Sequence, residues 1–426
     1  MGLKVIKAGA AKKAGRDEAL VRRVAGIVAA VRERGGAALL GYTAEFDRVE
    51  LATPEVPPEA VRAAYAEIPE KTLEYMRFAC SRIRSFAERQ LRCLEPLGYA
   101  EGGVEVGHRL VPVERCGCYV PSGRYPLPSS ALMSVTVAKT AGVGRVLACS
   151  PPAPGRGGIH PAVLAALDMA GADEIYCMGG AQAIAAYAYG AGPVEPVDLI
   201  VGPGNRYVTE AKRQVLGDVG IDGLAGPSEV LIIADETANP RWAAMDLLAQ
   251  AEHDPDARCV LVSTSEALAR EVMAETERFL GELPTGETAA LSWRENGAVY
   301  VAESLEEAAA FSNGFAPEHL ELQVRAERER EIAGMLKHYG SLFVGHYAPV
   351  AFGDFVTGTN HILPTMSTAR FSSGLWAGTF LKAPVHQFVS REGYGLLAGA
   401  ARHFAELEGL AAHAASVAIR EEAFEG

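Results

Sequence analysis

The chain has 426 residues, 53 acidic and 40 basic side chains, a formal net charge of −13 and 49% hydrophobic residues. This is a globular composition with material for a large core and, at roughly 100–200 residues per domain, for several lobes. The acidic balance argues against a general nucleic-acid or anionic-membrane surface, which rewards Lys/Arg-rich faces, and no stretch reads as a membrane span.

The first hundred residues predict helices. Residues 17–34 place Leu20, Val24, Ile27, Val28 and Val31 on one face, with Asp17 where an N-cap belongs and Gly35-Gly36 as the stop. Helical spacing continues over 58–92 after Pro57-Pro58. Lys4, Lys7, Lys12 and Lys13 come without an apolar stretch, so no secretory signal is expected. The cysteines are Cys80, Cys93, Cys116, Cys118, Cys149, Cys177 and Cys259, with no CxxC pair. Reduced thiols in a cytoplasmic protein are the expectation.

After about residue 110 the texture changes. Apolar runs at 146–149, 174–178, 198–201, 230–234, 259–262, 298–301 and 342–344 alternate with Ala-rich helical segments. That alternation predicts an α/β fold of βαβ units, with mostly parallel sheets covered by helices on both faces. The C-terminal segment reads as helical again. Such sheets bind ligands beyond the carboxyl ends of their strands, which directs attention to the glycine-rich turns at 120–123, 179–180, 202–205 and 226–228.

Five segments carry residue types suited to chemistry. Gly202-Pro203-Gly204-Asn205 follows an apolar run and precedes a helical segment, so it is either a phosphate-holding helix start or a plain turn. Gln250 and His253, three apart near the end of the helical stretch 240–253, share a face and are either metal ligands or a hydrated helix end. Glu318-His319 after Pro317 is either an acid–base pair or a helix start with Pro at its first position. Asp354 and His361 lie in a Gly- and Thr-rich polar loop, and His413 lies on a late helix with Glu408 before it. A G-x-G-x-x-A match at Gly393-Tyr394-Gly395-Leu396-Leu397-Ala398 lacks the strand and turn that a dinucleotide fingerprint needs.

Together these segments resemble the histidinol dehydrogenase family, in order and over nearly the whole chain. The tags are Cys118-Tyr119-Val120-Pro121-Ser122-Gly123, Gly179-Gly180-Ala181-Gln182, Gly202-Pro203-Gly204-Asn205 and Ala225-Gly226-Pro227-Ser228-Glu229, then Gln250-Ala251-Glu252-His253, Ala316-Pro317-Glu318-His319, Gly358-Thr359-Asn360-His361 and Leu410-Ala411-Ala412-His413. The resemblance implies a zinc-dependent enzyme that oxidises a primary alcohol to a carboxylate in two NAD-linked steps. Gln250, His253, Asp354 and His413 match the zinc ligands, and Glu318 and His319 the acid–base pair. Tyr119, Gln182 and Asn205 match dinucleotide contacts. Ser228, His319, His361 and Glu408 match positions near the substrate, with the metal ligands beside them. A homodimer is implied, in which the last histidine reaches the partner's metal.

The expected architecture is two Rossmann-like parallel-sheet domains without a standard glycine fingerprint, flanked by helical termini. A helical region over 1–105 is expected to pack on the second lobe, with lobes at 106–235 and 236–372 and a crossing helical segment at 373–426. The segments around Arg124, Tyr176 and Trp293, and that from Gly374 to Gln387, depart from the biosynthetic pattern and look like the sulfopropanediol 3-dehydrogenase branch. The favoured substrate on this reading is 2,3-dihydroxypropane-1-sulfonate, with Arg124, Arg370, Lys382 and His386 as sulfonate donors. L-histidinol is the alternative substrate, and a non-catalytic nucleotide-binding relative is the alternative of another class.

Overall fold

The computed structural model describes residues 2–9, 17–122 and 125–425. Lys12, Lys13, Gly123 and Arg124, which figure in the sequence reading, lie outside the described residues. The chain divides into two compact units, one of Met1–Leu91 with Val113–Phe380 and one of Arg92–Pro112 with Leu381–Gly426. Among the described residues no helix is long and apolar enough to cross a membrane.

The larger unit contains two sheets of the same winding. The first has five parallel strands in the spatial order Glu174–Cys177, Arg145–Ser150, Arg115–Tyr119, Leu199–Val201, Gly220–Ile221. The second has five parallel strands in the order Ala298–Val301, Arg258–Ser263, Glu229–Ala234, His319–Gln323, Ser341–Val344, with Lys4–Lys7 added antiparallel at the Ala298–Val301 edge. In each the chain starts at the centre, works outward, then returns to the other side, which leaves a crevice where the order reverses.

Burial on both faces explains the near-continuous apolar runs of these strands. In the first sheet Cys116, Cys118, Val146 and Ala148 face the Pro128–Thr140 and Pro161–Ala170 helices. Tyr119, Leu147, Cys149 and Ile200 face the Gly180–Tyr189 and Arg206–Val215 helices. In the second, Val230, Ile232 and Leu261 pack on one helical layer and Leu231, Ile233 and Leu320 on the other.

The N-terminal helices correct the sequence reading. Glu18–Arg34 forms as expected, with Asp17 accepting from the Ala19 and Leu20 amides at 3.1 Å and Gly35 at φ 53° ending it. Its buried stripe of Val24, Ile27, Val28 and Val31 covers the first sheet, not the second. The Glu70–Arg92 helix also packs there, through Leu73, Met76, Cys80 and Ile83. Among the described residues of the N-terminal region, only Lys4–Lys7 joins the second sheet. An amphipathic stripe reports that a helix is covered, not what covers it. The lobe boundary also moves: Glu229–Ala234 belongs to the second sheet, so the first ends before it.

In the smaller unit, Leu97–Glu101 and Val104–His108 form a hairpin that pairs with Val385–Val389 into an antiparallel sheet. The Arg391–Leu407 and Ala411–Glu425 helices follow. Part of the expected N-terminal helical region is therefore strand, and it is completed by the C-terminal part of the chain. The G-x-G-x-x-A match lies inside Arg391–Leu407 and is not a strand-to-helix turn.

Candidate functional site

The first sheet carries a cleft of about 260 Å³ at the carboxyl ends of its strands, lined by Tyr119, Gln182 and Asn205 together with Arg23, Phe46, Asp47 and Tyr207. Tyr119 ends the central strand, and its hydroxyl accepts from the Gly180 amide at 3.2 Å. Gln182 is buried, and its Oε1 has no hydrogen-bond partner. Gly202 turns the chain away at φ 116°, where a Cβ would collide with the Tyr119 carbonyl oxygen. Asn205 caps the next helix, accepting from the Tyr207 amide at 2.9 Å and the Val208 amide at 3.2 Å. Those two helix-start donors, which the sequence offered to a phosphate, are thus already used. The turn is held from beneath: the Gly202 amide donates to Asp222 Oδ2 at 2.7 Å, and Lys212 Nζ donates to the Gly202 carbonyl at 2.8 Å and pairs with Asp222.

The second cluster lies at the opposite, amino end of its sheet. His319 is the first residue of its strand and pairs with Val230, so Glu318-His319 begins a strand, not a helix. Ala316, in the left-handed conformation at φ 52°, ends the Leu305–Phe315 helix just before. The Glu229 peptide positions the pair: its N–H donates to Glu318 Oε2 at 2.8 Å, and its carbonyl accepts from His319 Nδ1 at 3.2 Å. A carbonyl can only accept, so Nδ1 carries a proton. Nε2 makes no well-aligned hydrogen bond but stands 3.4 Å from Asp354 Oδ1.

Burial pushes the Glu318 carboxyl up to about 7, against the pull of His319 and the Glu229 amide. Burial works to lower His319, but the carboxylates of Glu318 and Asp354 outweigh it and hold the imidazole up at about 9. For Asp354, burial works upward and is outweighed by His319, then His361 and His253, so its carboxyl sits below the usual range. His361 Nδ1 donates to the Asp354 carbonyl at 2.9 Å, and its Nε2 is 3.1 Å from Ser130 Oγ. Burial lowers this imidazole, which fits a neutral ring whose Nε2 accepts a hydrogen bond from the Ser130 hydroxyl.

The Pro240–Ala251 helix brings Gln250 to its last turn, with His253 just beyond its end. Gln250 Oε1 is buried without a partner, and His253 is exposed but close enough to act on Asp354. Among the described residues, no three His, Cys, Asp or Glu side chains converge as a group that could hold a metal ion. The expected set includes an amide, Gln250, and a histidine of the smaller unit, His413. Glu408 and His413 are both exposed there. Ser228 lies half-exposed at the amino end of Glu229–Ala234, its carbonyl accepting from the Arg258 amide at 2.9 Å.

Sequence reasoning missed Glu229, whose signal was a charge opening an apolar run, and Ser130, on a helix buried all round. It also missed a carboxylate pair behind His319. Glu321 and Gln323 follow His319 at two-residue spacing, on the same face of the strand. Gln323 Nε2 donates to Glu321 Oε2 at 2.7 Å and to Asp246 Oδ2 at 3.1 Å, while the Val350 amide donates to Glu321 Oε1 at 3.3 Å. This network ties together the helix of Gln250, the strand of His319 and the helix of Asp354.

Burial pushes Asp246 up to about 6 and Glu321 well above the usual carboxylate range. A raised carboxyl binds its proton more tightly in the folded state. Its stabilising contribution is therefore full below the unfolded value and is lost as pH rises through the folded one. Asp246→Asn should accordingly raise the thermal midpoint more at pH 8 than at pH 4. An equal shift at both would show that no proton is held there.

The sulfonate reading is overturned. The sequence matches the histidinol dehydrogenase family over residues 10–421. It is 46% identical to a histidinol dehydrogenase of Caulobacter vibrioides over 93% of this chain and 91% of that one. It is also 46% identical to one from Methanosarcina mazei over 93% and 91%. The crystal structure of histidinol dehydrogenase from Elizabethkingia anophelis superposes with a TM-score of 0.91 at 34% identity, covering 98% of this chain and 95% of that one. These relatives carry the name that the sequence reading held as its alternative. With the same fold over essentially the full length, the chain belongs to the histidinol dehydrogenase family of NAD-dependent oxidoreductases.

Proposed function

We propose that this protein oxidises L-histidinol to L-histidine in two successive NAD-linked steps, with the intermediate aldehyde kept bound. The observation that carries the reading is the buried Glu318–His319 pair, fixed by one peptide and facing Asp354. His319 Nδ1 is committed to the Glu229 carbonyl, which leaves Nε2 of the neutral ring as the atom that takes the proton of the substrate hydroxyl; with the imidazole held up at about 9, that base form gains population as pH rises toward that value. NAD, bound in the cleft of Tyr119, Gln182 and Asn205, supplies the hydride acceptor. The aldehyde then gains water. Glu318, with its carboxyl at about 7, is partly ionised near neutrality and can take a proton from that water. His319 takes the hydroxyl proton of the hydrate in the second oxidation. Enclosure of the pair limits loss of the aldehyde to side reactions.

The donor set fits zinc. Gln250 presents a buried oxygen with no partner, Asp354 is held ionised, and His253 lies within its field. Gln250, His253 and Asp354 would hold the metal, with His413 supplied by a second copy of the chain. When bound, zinc supplies Lewis-acid stabilisation of charge developing on the substrate oxygen. The homodimer reading has separate support: in the smaller unit Val385, Leu407, Leu396, Phe388 and Phe404 are 62–84% exposed, more apolar surface than a monomer normally leaves in water.

The test is NADH production from L-histidinol by the purified protein, before and after chelation. Turnover should need both NAD and metal, and zinc should restore the chelated enzyme. His253→Ala should lower bound zinc as well as rate; full metal content in that variant would remove His253 from the ligand set.

A further inference from the structure

The cleft of the first sheet contains a carboxylate that the reaction does not use. Asp47 ends a π-helical turn, Thr43–Asp47, that directly continues the Gly36–Tyr42 helix. Single π-turns are rare and concentrate at functional sites. Asp47 Oδ2 is buried with no hydrogen-bond partner, and burial holds the carboxyl up at about 6. A buried acceptor left unmatched is costly and calls for a donor from elsewhere. Beside it, Phe46 and Tyr207 line the same cleft, with the Arg23 guanidinium 5.7 and 5.6 Å from their ring centres.

Position decides which part of a dinucleotide belongs here. Every lining residue comes from the first sheet, the loops and helices that follow its strands, the Glu18–Arg34 helix or the turn ending at Asp47, and none from the strand that begins with His319. The half of NAD held here is therefore the half remote from hydride transfer. A flat purine suits the rings of Phe46 and Tyr207. A ribose diol offers two O–H donors, and a carboxylate has only acceptors.

We propose that Asp47 accepts hydrogen bonds from the 2′- and 3′-hydroxyls of the adenosine ribose and thereby selects NAD over NADP. The proposal rests on the assignment of this cleft to the cofactor. A 2′-phosphate would remove one donor and bring a second negative charge against the carboxylate.

NAD and NADP are titrated calorimetrically into the full-length protein and into three variants, Asp47→Asn, Asp47→Glu and Gln182→Ala. The unsubstituted protein should bind NAD at least about tenfold more tightly than NADP. Loss of bonds to a charged acceptor should weaken NAD by roughly 10- to 100-fold in Asp47→Asn, and the gap to NADP should narrow. Asp47→Glu keeps the charge and should keep NADP excluded. Thermal midpoints at or above that of the parent chain would show that the variants fold. Unchanged NAD affinity in Asp47→Asn, with a clear loss in Gln182→Ala, would reject the role of Asp47 and leave the cleft assignment standing. Unchanged affinity in both would reject the cleft assignment and the proposal with it.

Discussion

Replacing His319 with Asn is expected to lower turnover by about 10²–10⁴-fold with L-histidinol and with its aldehyde alike. In the proposed mechanism both oxidations remove a hydroxyl proton, first from the alcohol and then from the aldehyde hydrate, and Nε2 of the neutral His319 ring receives it. Asn can still donate to the Glu229 carbonyl that now holds Nδ1, so the strand start at residue 319 keeps its anchor while the base is lost. Glu318→Gln should behave differently. Its amide oxygen can still accept from the Glu229 N–H, which preserves the local fold, but it cannot take a proton from water. The loss should therefore fall mainly on the step from aldehyde to acid, and the aldehyde should appear in solution when L-histidinol is supplied. Steady-state rates with each substrate, and trapping of the free aldehyde, separate the two variants. Equal, unchanged rates for both substrates in both would remove the pair from the mechanism.

Lys212→Met should destabilise the larger unit by about 3–5 kcal/mol, the usual consequence of leaving a buried charge without its partner. Lys212 and Asp222 have side chains only 3% and 5% exposed. Between them they bind both the carbonyl and the N–H of Gly202, whose turn packs against Tyr119 in the proposed cofactor cleft. With the ammonium gone, Asp222 is buried beside a single amide. The double substitution Lys212→Met/Asp222→Leu removes both charges and should recover much of the loss in urea unfolding. It should not recover NAD binding, because the Gly202 amide then has no acceptor and the turn beside Tyr119 loosens. A loss below about 1 kcal/mol for the single variant would mean that the pair is effectively solvated and contributes as a surface bridge does.

How much of this was legible in the sequence depended on whether the cause was local. The Glu18–Arg34 helix has its cap, its stripe and its glycine stop within the stretch from Asp17 to Gly35, and it formed as read. The apolar runs of the two sheets became strands because burial on both faces demands continuous hydrophobicity, whatever the neighbouring strand is. Arg115–Tyr119 and His319–Gln323 were not read as strands. The first interrupts its cysteines with glycine and the second alternates Leu with charged and polar groups, and only partners distant in sequence satisfy them. The hairpin at 97–108 likewise gains its third strand from residues 385–389.

The same division runs through the site. Residue types and spacing, read with the family resemblance, were enough to name Tyr119, Gln182, Asn205, Gln250, His253, Glu318, His319, Asp354 and His361. They could not show that Tyr119, Gln182 and Asn205 stand at the carboxyl ends of one sheet while Glu318 and His319 stand at the amino ends of the other. A strand's sequence is silent about which end faces a neighbouring sheet; connection handedness and packing decide that. Nor could they reveal Glu229, whose peptide orients the pair from 90 residues away. Sequence alone determined which side chains are available for chemistry. Tertiary structure decided which ones are dry, which are paired and which stay unsatisfied, because desolvation and Coulomb interaction depend on distance through space rather than along the chain.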